Sequence, residues 1–299
     1  MAARAIDTLA AMMDSTHCDP DYASAPVAHA DWLRPEWPAP THVHALCTTR
    51  AGGCSTGGYA SLNLGTHVGD APQAVASNRA RLVAALQTTK PGARPVFLNQ
   101  VHGAQSLQLS PEMPDGAVAD AAWASAPGLA CTILVADCMP VLLTDRLGRR
   151  VAAAHAGWRG LAGGVLESTL ECFRSLALIE SSGAAIDSGA IPANDLLAWL
   201  GPCIGPSAFE VGDEVRAAFC AADEAAEQHF AAQGGGKFLA NLPALARQRL
   251  AAQGVTQVYG NDGSEAWCTF RQPSRFFSHR RDGAVSGGTG RMAACIWLG

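Results

Sequence analysis

Two apolar runs, "MPVLLTD" (139–145) and "RRVAAAH" (149–155), meet at the turn "DRLG" (145–148). Each is too short for a helix of ordinary length, and a Gly-containing loop of this size joins antiparallel strands, so the stretch predicts a β-hairpin. A hairpin constrains a chain strongly because it decides which residues face each other. Pairing Thr144 with Arg149 sets Cys138 directly opposite His155, and opposed side chains have Cβ atoms about 4.5–5.5 Å apart. A thiolate and an imidazole at that separation can reach one zinc ion, with Zn–S about 2.3 Å and Zn–N about 2.0–2.1 Å. Asp137 precedes the cysteine, and the small residues Ala152–Ala154 leave room ahead of the histidine. Gly157 then ends the strand and brings Trp158 and Arg159 beside the pair. Strand-to-helix turns of this kind often carry ligand-binding groups.

A third ligand is open on spacing alone. His102, in "LNQVHG", also ends an apolar run just before a glycine, while His42 and His44, in "HVH", alternate onto one face of a strand.

The rest of the chain mixes strands and helices without strict βαβ alternation. Helical patterns cover 71–87 (with Asp70 as N-cap), 161–178, 211–230 and 241–254. Strand patterns cover 94–103, 106–109, 117–119, 129–136, 196–205 and 290–299. With hairpins present, this predicts α/β of the mixed α+β kind, in a single domain over residues 31–299. Residues 1–30, rich in Ala, Asp and Pro, read as a flexible extension, and the small-residue stretch 179–195 as a mobile loop.

Composition excludes several classes. With 48% hydrophobic and 16% charged residues the chain is globular, and a net charge of −5 argues against a general nucleic-acid binder. No apolar run reaches the roughly 18–20 residues that span a bilayer. The N-terminus, broken by Asp7 and Asp14, lacks the apolar core of a signal peptide. The expectation is a soluble, cytoplasmic protein without nucleic-acid or membrane partners. The ten cysteines contain no C-x-x-C pair, so most read as small buried hydrophobes in a reducing compartment. Cys203 and Cys268 belong with these.

Taken together, "TTRAGG", "SLNLGTHVGD", "NQVHG", "ADCMPVLL", "HAGWRGL", "GPCIG", "FEVGDEV", "FFSHRRDG" and "TGRMAACIWL" resemble, in order and spacing, the laccase-domain (multicopper polyphenol oxidase-like) purine nucleoside phosphorylases, also called peptidoglycan editing factors. The resemblance runs from about residue 43 to 299. It implies layered mixed sheets flanked by helices, similar to Cys-His deamidating toxins. It also implies a catalytic metal triad of His102, Cys138 and His155, choosing His102 over the H-x-H pair. One cysteine and two histidines leave a fourth position open, as in catalytic zinc sites. Zinc is therefore the expected cofactor, with copper as the alternative. The implied activities are phosphorolysis of adenosine, inosine, guanosine and methylthioadenosine, with adenosine deamination. The implied partners are purine nucleosides and phosphate; the oligomeric state stays open, and a monomer is compatible with it.

Such substrates need cations and polar groups. Arg50, Asn63, Arg159 and Arg280 are the expected substrate-binding residues, with Arg281 and the turn "SGGTG" (286–290) as further anion-friendly features. The competing expectations are a hydrolase that edits peptidoglycan precursors, a metal-free enzyme with Cys138 as nucleophile, a copper oxidoreductase, and a zinc-stabilised interaction module. The missing H-C-H run speaks against copper oxidation.

Overall fold

A computed structural model describes residues 29–174, 190–286 and 288–299. The expected N-terminal extension lies outside the described residues but for His29 and Ala30, as does most of the expected loop, up to residue 189.

Along the chain, β1 (Val43–Cys47) precedes α1 (Pro72–Gln87), β2 (Arg94–Phe97), β3 (Ser106–Gln108), β4 (Ala121–Ala124) and β5 (Leu129–Val135). The hairpin follows as β6 (Met139–Asp145) and β7 (Val151–Ala156), then α2 (Trp158–Ala162) and α3 (Val165–Arg174). After these come β8 (Leu196–Leu200), β9 (Glu210–Gly212), α4 (Asp213–Cys220), β10 (Phe230–Gly234), β11 (Lys237–Ala240) and α5 (Leu242–Ala252). The chain closes with β12 (Gln257–Gly260), α6 (His279–Ser286) and β13 (Met292–Leu298).

Two large mixed sheets form the centre, with strand orders β1-β13-β5-β2 and β12-β8-β6-β7-β4-β3; β10-β11-β9 make a small third sheet. The expected mixed α+β architecture of several sheets flanked by helices is what the chain adopts.

The period of two along each strand divides the core into layers. Ile133 and Val135 of β5, Leu142 of β6, Ala153 of β7 and Ala294 of β13 meet between the two large sheets. Their neighbours Ala130 and Leu134 face outward onto Leu82 and Leu86 of α1. On the other side, Val141, Leu143, Ala152 and Ala154 pack against Leu166 and Leu170 of α3 and Leu245 of α5. Strands covered on both faces explain the near-continuous apolar runs of 129–156. Each fully buried Leu here contributes about 1.5–3 kcal/mol.

The hairpin forms, but its register differs from the expected one. Thr144 pairs with Val151, not Arg149, and His155 lies opposite Pro140, not Cys138. The reason is Asp145, which is fully buried. Its carboxylate accepts the N–H groups of Leu147, Arg149 and Arg150, at 3.2, 2.8 and 3.2 Å, and so enlarges the turn. The shift is two residues, which preserves the face on which each side chain lies. Cys138 therefore stays on the inter-sheet side with His155, as its diagonal neighbour.

Other boundaries move for local reasons. Asp70 stands one residue before the N-cap, Ala71, and instead accepts from Ser55 Oγ and Asn63 Nδ2. The expected helix 161–178 is split at Gly163–Gly164, where Gly164 has φ +93°, and residues 175–178 lie outside the described ones. The expected helix 211–230 stops at Cys220 and resumes as a 3₁₀ segment, Glu224–His229. The expected strand 117–119 is a single bridge, Asn99 to Val118.

Candidate metal centre and its cavity

The site sits where the inter-sheet layer opens at one end. The loop after β2 carries His102, the turn between β5 and β6 carries Cys138, and the end of β7 carries His155. Their ligand atoms all lie within 4.8 Å of one another. The two imidazole rings meet edge to face, with centroids 4.8 Å apart and planes at 63°. Among the described residues this is the group of three His, Cys, Asp or Glu side chains arranged to hold a metal ion.

The backbone is bent to produce this convergence. His102 has φ +61° and Asp137, just before Cys138, has φ +82°. Residues other than glycine seldom adopt such values, and the strain persists only where surrounding bonds enforce it. For His102 the enforcing group is Asp120, wholly buried. Its carboxylate accepts the N–H groups of Val101, His102 and Gly103, at 3.1, 2.9 and 2.7 Å. For Asp137 the side chain accepts from Thr269 Oγ1 (2.5 Å), Ser278 Oγ (3.0 Å) and the Arg280 N–H (2.6 Å). These bonds also draw the His279–Arg280 segment over the site.

Asp120 has a second role. Its Oδ1 lies 2.8 Å from His155 Nδ1. An ionised carboxylate only accepts, so Nδ1 carries a proton and Nε2 is the nitrogen directed at the site, able to give up its own proton to a metal. Burial pushes the Asp120 carboxyl up, but the hydrogen bonds from His155 and Gly103 overcome this and hold it below the usual range. A carboxylate behind a ligating histidine fixes its tautomer and raises its basicity.

The thiol and imidazole form an ion pair in the same sense. Burial opposes ionisation of Cys138, yet the charge of His155 and hydrogen bonds from both histidines bring its pKa down to about 6. Burial likewise disfavours a charged His155, but the thiolate and Asp120 raise it to about 9.

Space for the sulfur comes from Gly157. A Cβ there would stand 2.7 Å from Cys138 Sγ and 3.3 Å from His102 Cδ2. Gln100 ties the His102 loop to β5, its Nε2 donating to Leu134 O and its Oε1 accepting the Leu134 N–H, both at 2.8 Å.

Beside the three donors is a cavity of about 370 Å³, in the size range of small-molecule sites. Trp158 and Phe209 give it aromatic surface; Arg159, Arg280 and Arg291 give it charge.

The expected substrate-binding residues divide. Arg159 and Arg280 line this cavity. Arg50 and Asn63 do not. Arg50 donates to Ala60 O and Pro273 O, both at 2.8 Å, and lies over the Phe277 ring. Asn63, fully buried, donates to Gly65 O and Asp70 and accepts the N–H groups of Gly65 and Arg291. Arg281 is likewise taken up by Asp282 and the carbonyls of Thr269, Phe270 and Phe276. In the turn "SGGTG", Gly288 and Gly290 pack against Tyr59 and Phe277, and Gly287 lies outside the described residues. His42 meets Gly148 O at 3.1 Å and His44 packs on Trp297, so the H-x-H pair stands apart from the centre.

Sequence reasoning missed Asp120, Gln100, Arg291 and His67. Asp120 carried one signal, a lone carboxylate within the small-residue run "VADAAWA". Gln100 and Arg291 lay inside quoted motifs, but nothing local marked their partners.

Known proteins resemble this chain over nearly all of the described residues. The family model described as multi-copper polyphenol oxidoreductase laccase matches residues 44–299. "Purine nucleoside phosphorylase PA4543" of Pseudomonas aeruginosa is 48% identical over 268 residues, covering 89% of this chain and 98% of that protein. "Purine nucleoside phosphorylase YfiH" of Escherichia coli K12 is 48% identical over 264 residues, covering 88% and 97%. Among solved structures, Neisseria meningitidis NMB0706 matches with a TM-score of 0.77 at 44% identity, over 90% of this chain and 99% of that one. YlmD of Geobacillus stearothermophilus matches with a TM-score of 0.74 at 30% identity, over 89% and 96%. With a match from β1 to the last residue, this chain belongs to the multi-copper polyphenol oxidoreductase laccase family, the laccase-domain purine nucleoside phosphorylases.

Proposed function

We propose that this protein is a purine nucleoside phosphorylase that works in the cavity beside His102, Cys138 and His155, with zinc held by those three side chains. The observation that carries the reading is the convergence of the three donors within 4.8 Å, beside a cavity lined by arginines. The printed names of the relatives support the substrate class.

The donor set fits zinc. Two imidazoles and a thiolate are borderline-to-soft ligands, and three donors leave a position for substrate. Asp120 keeps the His155 Nδ1 proton in place, so Nε2 is ready to bind metal. Copper accepts similar donors; one such group among the described residues, and a sequence without an H-C-H run, favour zinc. A bound zinc supplies a Lewis acid beside the cavity.

The protein's own residues supply the rest. In phosphorolysis a phosphate oxygen bonds to ribose C1′ as the C1′–N9 bond breaks, and the electron pair leaves with the purine, which takes up a proton. Arg159, Arg280 and Arg291 attract the phosphate, and Trp158 and Phe209 supply aromatic surface for a purine. Adenosine deamination belongs to the same proposal: water adds at C6 and ammonia departs, in the same cavity. A cytoplasmic location also remains part of this proposal; no helix among the described residues is long and apolar enough to cross a membrane.

The test is metal analysis together with a nucleoside panel, with and without phosphate, on wild type and Cys138→Ala. Zinc near one per chain and phosphate-dependent release of free base, both lost in the folded variant, are expected. No base released at any metal loading overturns the phosphorylase reading. Hydrolysis of a nucleotide-linked muramyl-serine precursor in its place would establish the editing reading.

A further inference from the structure

Three arginines line the cavity, Arg159, Arg280 and Arg291; of these, Arg280 Nη1 donates to Glu210 O at 2.9 Å. Elsewhere some arginines pair with acids, as Arg149 with Asp145, Arg249 with Glu167 and Arg281 with Asp282, and others, such as Arg94 and Arg247, spend their donors on backbone carbonyls. Among the described residues, none of the cavity's three takes part in an ion pair. The carboxylate in the lining, Asp137, directs its oxygens to Thr269, Ser278 and the Arg280 backbone.

Arg291 is the most firmly held of the three. Its Nη1 donates to Thr289 O at 2.8 Å and Gly290 O at 3.2 Å. Its backbone N–H donates to Asn63 Oδ1 at 2.9 Å. Gly65 makes room for its stem, since a Cβ there would stand 2.9 Å from Arg291 Cγ. None of these bonds uses Nε or Nη2. Burial pulls the guanidinium pKa down, with the negative charges of Cys138 and Asp137 opposing this. Those charges make no direct ion pair with Arg291, so an anion that joins the guanidinium would offset the rest of its desolvation. His67, exposed at the rim, also lines the cavity and lies within the field of Arg291.

We propose that Arg291, with His67 at the rim and Arg159 and Arg280 completing the cationic lining, forms a preorganised subsite for a phosphate dianion. The fork of a fixed guanidinium matches two phosphate oxygens, which a flexible ammonium does not. That the dianion is the inorganic co-substrate rests on the phosphorylase reading; the phosphate of a nucleotide has the same chemistry. The subsite gives Asn63 and Gly65 a role: Asn63 accepts the Arg291 N–H and Gly65 leaves room for its stem.

Calorimetric titration of the zinc-loaded protein with inorganic phosphate, and separately with adenosine 5′-monophosphate, tests this on wild type, Arg291→Gln, Arg291→Lys and His67→Gln. Arg291→Gln is expected to weaken inorganic phosphate about tenfold or more, and Arg291→Lys less, as for loss of a charge-assisted fork. His67→Gln, at an exposed position that does not threaten the fold, is expected to weaken it about threefold. In steady-state phosphorolysis, KM for phosphate should rise in these variants while KM for nucleoside stays within about twofold. Unchanged phosphate affinity in folded Arg291→Lys and His67→Gln overturns the subsite, as does an equal rise in both KM values. If Arg291 governs the monophosphate alone, the anion subsite stands and the inorganic source is overturned. If phosphate binding depends on Arg291 but wild type releases no base, the subsite stands and the phosphorylase reading falls.

Discussion

Asp120 Oδ1 lies 2.8 Å from His155 Nδ1, and the same carboxylate holds the N–H groups of Val101, His102 and Gly103. One buried acid therefore holds the Nδ1 proton of one histidine and the backbone of the other. It is the hinge on which the donor geometry depends, although it is not itself a donor.

Asp120→Asn removes the charge and turns one acceptor into an NH₂ that faces N–H donors. Stability should fall by about 2–4 kcal/mol, as for a broken buried network, with zinc affinity down about 10–100-fold. Urea unfolding and competition with a chromogenic chelator measure the two effects. Full zinc affinity in a folded variant would show that the carboxylate does not position the donors.

Gly157→Ala tests the space reserved for the thiol. The added Cβ would fall 2.7 Å from Cys138 Sγ, well inside contact distance, so the sulfur must move. Zinc affinity should drop at least tenfold while the far-UV spectrum is retained. A zinc-loaded variant of wild-type affinity would contradict this geometry.

The thiolate–imidazolium pair makes a pH prediction with an internal control. Cys138, lowered from 9.0 to about 6, contributes stability above pH 9.0 that is lost as pH falls toward 6. His155, raised from 6.5 to about 9, contributes stability below pH 6.5 that is lost as pH rises toward 9. The two slopes oppose each other, because the imidazole gains the proton that the thiol loses. Unfolding free energy from this pair should therefore be nearly flat between pH 6 and 9. Alkylation of the metal-free protein by iodoacetamide should nonetheless reach half its maximal rate near pH 6, at Cys138, and zinc should suppress it. A midpoint near 9 would refute the ion pair.

Arg50→Met separates scaffold from site. Arg50 hydrogen-bonds Ala60 O and Pro273 O, away from the cavity lining. The variant should lose about 1–3 kcal/mol of stability and keep its KM for phosphate. A phosphate KM that rises as it does in Arg291→Gln would restore Arg50 to the substrate site.

Much of this was legible in the residues themselves. The hairpin, its apolar faces and the nearness of Cys138 to His155 follow from a period of two, which tolerates a two-residue error in register without changing the face. His102 was recognisable as the end of an apolar run before a glycine, once the order of motifs was considered as a whole. The register was not legible, because it depends on Asp145 folding its side chain back over the turn. Asn63 shows what local sequence leaves open: in "SLNLG" it has the chemistry of a substrate ligand, and only the return of β13 shows that it receives the Arg291 N–H. Local sequence determines periodicity, faces and donor chemistry, since these repeat within a few residues. Asp120 behind His155 and Asn63 behind Arg291 were decided by tertiary structure alone, because each hydrogen bond joins segments that meet only when the sheets pack.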